Sequence, residues 1–257
     1  MELIIILFTV LIGSLLTFFS GFGLGTILLP VFSLFFSLEI AIGATAIVHF
    51  FNSFFKVLLV YRYVNWKLLV SFGSTAIPFA FIGAWTLSKL DSSDFVIHYS
   101  FYFLNKDVSL IQFCIGIVML FFALIELFWK KKEFSFSGAQ LYIGGLLSGF
   151  FGGLSGHQGA LRAMFLTKTN ISKEEFVATS STIGLLIDFT RLMVYSSTIS
   201  LMSTLSIHWT LILAICVAFV GSYFGSKLLG KTTMKSVQYL VTSMLLIMGT
   251  LLVFGFL

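Results

Sequence analysis

Ser155-Gly156-His157-Gln158-Gly159-Ala160-Leu161-Arg162 interrupts a very hydrophobic stretch and leaves an arginine beside the interruption. Ser20-Gly21-Phe22-Gly23-Leu24-Gly25 answers it near the start of the chain. The apolar pieces that follow, 24–36 and 159–167, are too short to cross a bilayer. The second covers only ~14 Å at 1.5 Å per residue, against a hydrocarbon core of ~30 Å. Two short, glycine-interrupted segments at matching places in two halves point to the substrate site of a membrane transporter.

Composition agrees. The 257 residues are 58% hydrophobic and 10% charged, with mean hydropathy +1.07. No soluble domain hides that much apolar surface, so the chain reads as an all-α polytopic membrane protein. Lipid offers backbone groups no partner, so the long apolar runs read as helices over 3–19, 39–61, 67–88, 108–129, 138–152, 175–197, 207–228 and 236–256. Met1-Glu2-Leu3 lacks a positive n-region, so the first helix is retained. The net charge of +5 is spread over loops, as expected at membrane edges, which speaks against a nucleic-acid partner. Cys114 and Cys216 lie inside apolar helices without metal-ligand spacing, so neither a disulfide framework nor a metal or cofactor site is expected.

The positive-inside rule decides whether each short piece continues its helix or folds back. If each continued, five Lys and Arg would face one side and seven the other. If each pair is a hairpin, ten gather on the cytoplasmic side: Arg62, Lys67, Lys130, Lys131, Lys132, Lys168, Lys173, Lys227, Lys231 and Lys235. Only Lys89 and Lys106 are then outside. The spacing therefore predicts re-entrant hairpins and both termini outside a multi-pass cell (inner or plasma) membrane. Each half holds a hairpin plus three spanning helices. The first hairpin enters from outside and the second from the cytoplasm, which makes the halves inverted repeats. They run over 1–129 and 138–257, joined by a cytoplasmic linker at 130–137. An offset of 134 aligns Gly25 with Gly159, Ala44-Thr45 with Ala178-Thr179, and Tyr61 with Tyr195. The 89–107 segment reads as an outside connector at the membrane interface.

Ser20-Gly21-Phe22-Gly23-Leu24-Gly25 running to Pro30, with Ala41-Ile42-Gly43-Ala44-Thr45 in the next helix, resembles the first-half pattern of the TauE/SafE sulfite-exporter family. Gly152-Gly153-Leu154-Ser155-Gly156-His157-Gln158-Gly159-Ala160, followed by Ala178-Thr179-Ser180-Ser181, resembles its second half. His157-Gln158 stand where that pattern has further glycine, and no proline follows. The resemblance implies a permease for sulfite, organosulfonates or related small anions, and no enzyme.

Lys56, Arg162 and Arg191 lie within the apolar spans against one acid, Asp188, an excess that favours an anionic ligand. Arg162 sits one turn into the short helix beginning near Gly159, whose free N–H groups and dipole attract anions. Its guanidinium grips a sulfonate as a fork, where lysine supplies a point charge. His157, Gln158 and Ser155 add donors. The competing reading is snorkelling toward Lys168. Gly23-Leu24-Gly25-Thr26 forms the opposed tip, or packs helices closely. Asp188 and Arg191, three apart, read as a structural pair or as a gate. Lys56 reads as snorkelling beside Arg62. His49, alone in its span, reads as a packed hydrogen-bonding residue, with proton coupling as the alternative. Thr45, and Thr179 within Thr179-Ser180-Ser181-Thr182, line the site or bond back to their own helices.

Alternating access around two opposed tips is the expected mechanism, with substrate and lipid as partners and a homodimer left open. An anion channel shares these features. A rhomboid-like intramembrane serine protease is the enzymatic alternative, from Gly153-Leu154-Ser155-Gly156. It requires a histidine within reach of Ser155, and neither His49 nor His208 is expected there.

Overall fold

The computed structural model describes residues 1–20, 23–91, 95–101, 104–128, 138–167, 169–198, 207–228 and 234–256. The 130–137 linker, Gly21, Phe22 and Lys168 lie outside them. The described residues form ten α-helices. The first half contains α1 (Glu2–Ser20), the short α2 (Gly25–Ser33), α3 (Leu38–Val60) with a 3-10 turn at Tyr61–Tyr63, α4 (Trp66–Asp91) and α5 (Leu110–Phe128). The second contains α6 (Ala139–Ser155), the short α7 (Gln158–Leu166), α8 (Lys173–Thr198), α9 (His208–Lys227) and α10 (Met234–Val253). Four helices are long and apolar enough to cross a membrane: α3, α4, α8 and α9. The chain is an all-α polytopic membrane protein.

The 89–107 connector departs from expectation. α4 continues to Asp91, and Val96–Phe101 (β1) pairs antiparallel with Leu104–Ser109 (β2), with His98 opposite Asp107. The strand delays α5 to Leu110, later than the expected start at 108.

Both short helices fold back. Gly13 of α1 lies beside Leu24 and Ile27, so α2 returns along the helix it came from. Gly144 of α6 lies beside the Phe165 ring, and Ser148 Oγ donates to the Gln158 carbonyl (3.1 Å), so α7 returns along α6. The second reversal is made at Gly156, whose φ of +80° caps α6 in the left-handed region that side chains avoid.

Helix partners cross between the halves. α6 runs parallel to α4 along a small-residue seam. Gly145 faces Phe72, Gly149 faces Ala76 and Gly153 faces Ala80, so closely that a Cβ would strike the opposing backbone. α1 runs parallel to α9, with Gly221 against Leu11 and Ser14 and Gly225 against Leu15 and Phe18. α3 packs antiparallel on α8, where Phe50 meets Phe189 and the Asn65 N–H, just beyond the 3-10 turn, reaches Thr179. α5 packs antiparallel on α10 through Gly116 and Gly249.

Candidate functional site

The two hairpin tips meet. Gly23 lies against Gly159, and Gly25 against the Gly156 carbonyl and the Thr45 methyl. Thr26 does not offer its hydroxyl to the space between them, because Oγ1 donates to the Gly23 carbonyl (2.7 Å). The Thr45 hydroxyl is buried without a hydrogen-bond partner.

Beside this contact, α3 presents a polar stripe inside the bundle: Thr45, His49, Asn52, Ser53 and Lys56, all buried. Their spacing of three and four residues puts them on one helix face. Lys56 is 5% exposed, which corrects the snorkelling expectation. Its Nζ donates to Thr17 Oγ1 (3.3 Å) and sits 5.7 Å from the Phe18 ring centroid. The helix turns Lys56 inward because it shares the face of His49 and Asn52. Asn52 accepts a bond from Ser222 of α9 (2.6 Å), while its Nδ2 is unpartnered.

Arg162 is 4% exposed and does not snorkel either. Its Nε donates to Ser180 Oγ (2.7 Å) and its Nη1 to Gln158 Oε1 (3.0 Å). Gly184 of α8 leaves the space the guanidinium fills, since a Cβ there would lie 2.8 Å from Nη1. Lys56 and Arg162, one from each half, open on the same cavity of about 20 Å³. Thr17, Ser53, Ser180 and Ser181 supply hydroxyls to its wall, with Gly23 and His49, and no carboxylate lines it among the described residues.

His49 is not alone. Its Nδ1 bonds Asp188 Oδ2 across the interface between the halves. Asp188 Oδ1 accepts from Gln158 Nε2 (2.8 Å) and lies 2.9 Å from Arg191 Nη2. The Arg191 contact is a charge pair rather than an aligned hydrogen bond. Asp188 and Arg191 are both fully buried. Bonds thus run unbroken from His49 through Asp188 and Gln158 to Arg162.

Buried charges survive in a low-dielectric interior when they are paired and hydrogen-bonded. Asp188 meets that condition. Among the described buried residues the charges do not balance, because Lys56, Arg162 and Arg191 face one carboxylate, Asp188. Neither Lys56 nor Arg162 has a carboxylate partner among the described residues, and both reach the same cavity.

The profile of the sulfite exporter TauE/SafE family matches residues 5–252, almost the whole chain. The chain belongs to the TauE/SafE family. It is therefore a membrane transporter by family. No curated protein and no solved structure matches it significantly.

The remaining candidate residues fall on the tip or outside the cavity wall of this TauE/SafE protein. Thr179 is tied to the cytoplasm-predicted end of α4, accepting the Asn65 N–H (2.9 Å). Asn65 Nδ2 donates to Glu175 (3.3 Å), which forms a reciprocal cap with Ser172 at the start of α8. Ser155 and His157 lie on the turn itself. His157 Nδ1 is 2.9 Å from Ser155 Oγ, so a histidine other than His49 and His208 lies within reach of that serine. Ser155 Oγ also lies 3.2 Å from the Phe151 carbonyl, which competes with Nδ1 for its proton. Both side chains are buried, and the imidazole stacks on Phe122 at 5.8 Å. Sequence reasoning passed over Lys56, Ser53, Thr17 and Gly184 as site residues. For Lys56 and Ser53 the signal was present in the polar spacing along α3.

Proposed function

We propose that this TauE/SafE protein exports a small sulfur-containing anion, sulfite or an organosulfonate, across the cell membrane by alternating access around its two opposed hairpin tips. The observation that carries this reading is the cavity shared by Lys56 and Arg162, whose wall, among the described residues, holds hydroxyls and two cations but no acid. Arg162 supplies a fork for two anion oxygens, Lys56 a point charge from the opposite side, and Ser53, Ser180 and Ser181 neutral donors. Gly23, Gly25 and Gly159 let the tip backbones come close, and Gln158 orients Arg162.

At about 20 Å³ the cavity has room for little more than a water. A sulfonate then enters only when the tips part, which suits a carrier. The pairing of helices supports inverted repeats. Exchanging the halves turns the α1–α9 pair into the α6–α4 pair, while α3–α8 and α5–α10 map onto themselves antiparallel. A two-fold axis in the membrane plane produces that pattern. In this reading both termini are outside, and the Lys56 end of α3 faces the cytoplasm. The membrane potential drives outward whatever net negative charge leaves per cycle, by ~2.3 kcal/mol per 100 mV. The chain works as a transporter rather than an enzyme.

Purified protein in vesicles loaded with labelled sulfite tests the reading. Saturable efflux and counterflow are expected, and Arg162→Gln should abolish both while the protein stays folded. Undiminished flux and affinity in that variant would remove Arg162 from the site. Flux without counterflow would identify a channel.

A further inference from the structure

We infer that His49 carries a proton together with the anion, making transport proton-coupled; the inference rests on the transport reading above. His49 faces two ways. Nδ1 is bonded to Asp188, and His49 forms part of the cavity wall with Gly23, Lys56 and Arg162. Nε2 points at the first hairpin tip, where a Cβ on Gly23 would lie 3.1 Å away.

Asp188 is held by two donors, His49 Nδ1 and Gln158 Nε2, and by the charge of Arg191, partners that suit a carboxylate. A carboxylate only accepts, so Nδ1 keeps a proton and Nε2 is the acceptor on the cavity side. A proton arriving at Nε2 gives an imidazolium bonded to a carboxylate, and it leaves from the same nitrogen when the cavity faces the other way. No other atom changes. The charges acting on His49 are Asp188 and Arg191 from α8 and Arg162 from α7, with Lys56 two turns along its own helix. α2 carries no ionisable side chain, and α9 presents Ser222 to this face of α3.

Coupling follows from where the positive charge appears. An imidazolium on the cavity wall adds a third cation beside Lys56 and Arg162. It strengthens anion binding, and by reciprocity the anion strengthens proton binding. The proton also turns the His49–Asp188 bond into a charge-assisted one. That bond joins α3 of one half to α8 of the other, so the loaded, protonated state is the one in which the halves are held together.

The test uses full-length protein in vesicles clamped at zero potential, with labelled sulfite and an imposed pH gradient. Wild-type protein should accumulate sulfite toward the alkaline side beyond protein-free vesicles, approaching about tenfold per pH unit for one proton per anion. His49→Gln should lose the response to the gradient, with sulfite counterflow still measurable but weaker, since the third cation on the cavity wall is gone. Sulfite's own titration is common to both proteins, so the difference reads His49. Wild-type flux indifferent to the gradient would overturn the inference whatever the variant does. So would an unaltered gradient response in His49→Gln. Absence of sulfite counterflow in wild-type protein would instead overturn the transport reading, and this inference with it.

Discussion

Lys56→Met should make the empty protein more stable and the loaded protein weaker. Among the described residues Lys56 Nζ has one hydrogen bond, a long one to Thr17 Oγ1, and no carboxylate faces it across the cavity. A lysine at the centre of a membrane helix costs ~2.5–3.5 kcal/mol on insertion scales, an upper bound for Lys56, which lies one turn from the end of α3. Methionine fills nearly the same volume without charge, and its introduction orphans no buried anion. Recovering most of that cost, about 2 kcal/mol, corresponds to a rise in Tm of roughly 4–8 °C for a chain of this size. The bound anion, in contrast, loses a charged partner worth about 1.5–3 kcal/mol, a 10- to 150-fold rise in Kd. Differential scanning fluorimetry without and with sulfite, backed by calorimetric titration, reads both numbers on one preparation. A lower Tm for the empty variant would mean that Lys56 is a structural residue. An unchanged sulfite Kd would place the anion elsewhere. Either result refutes the argument from unpaired charge.

Gly184→Ala sets a methyl against the Arg162 guanidinium and should raise the sulfite KM roughly tenfold, the loss of one charged hydrogen bond, with little change in Tm. Gly149→Val drives a side chain into the Ala76 backbone; it should cost about 3 kcal/mol or more and shift the protein to aggregates on size-exclusion chromatography. Ser222→Ala strips Asn52 of its described partner and should lower stability by about 1–3 kcal/mol, with Asn52→Leu in the same background restoring most of it. Cysteines at Lys130 and Lys168 should both react from the cytoplasmic face; labelling from opposite faces would remove the hairpin topology.

The fold was legible because the bilayer leaves few options. Length separated the spanning helices from 24–36 and 159–167, and the distribution of lysine and arginine predicted that both pieces turn back. The Asp188–Arg191 pair was readable because both partners share one helix at fixed spacing. His49 was not, because its partner lies 139 residues away on a helix of the other half, and no local rule encodes which helices will touch. Lys56 carries two opposed signals, a depth that points to the Arg62 edge and a helix face that points into the bundle. The stripe from Thr45 through His49 and Asn52 already pointed it inward. The β1–β2 hairpin was hidden because Val96-Ile97-His98-Tyr99-Ser100-Phe101 mixes aromatic and polar residues without clean alternation, so it passed for an interfacial loop.

The crossed helix pairing bears on how the chain becomes a protein at all. α1 rests on α9, and α4 waits for α6, so the amino-terminal portion leaves the ribosome with its tightest surfaces uncovered. Cut between the repeats, the gene should yield two fragments that are each degraded alone and rescue one another when produced together.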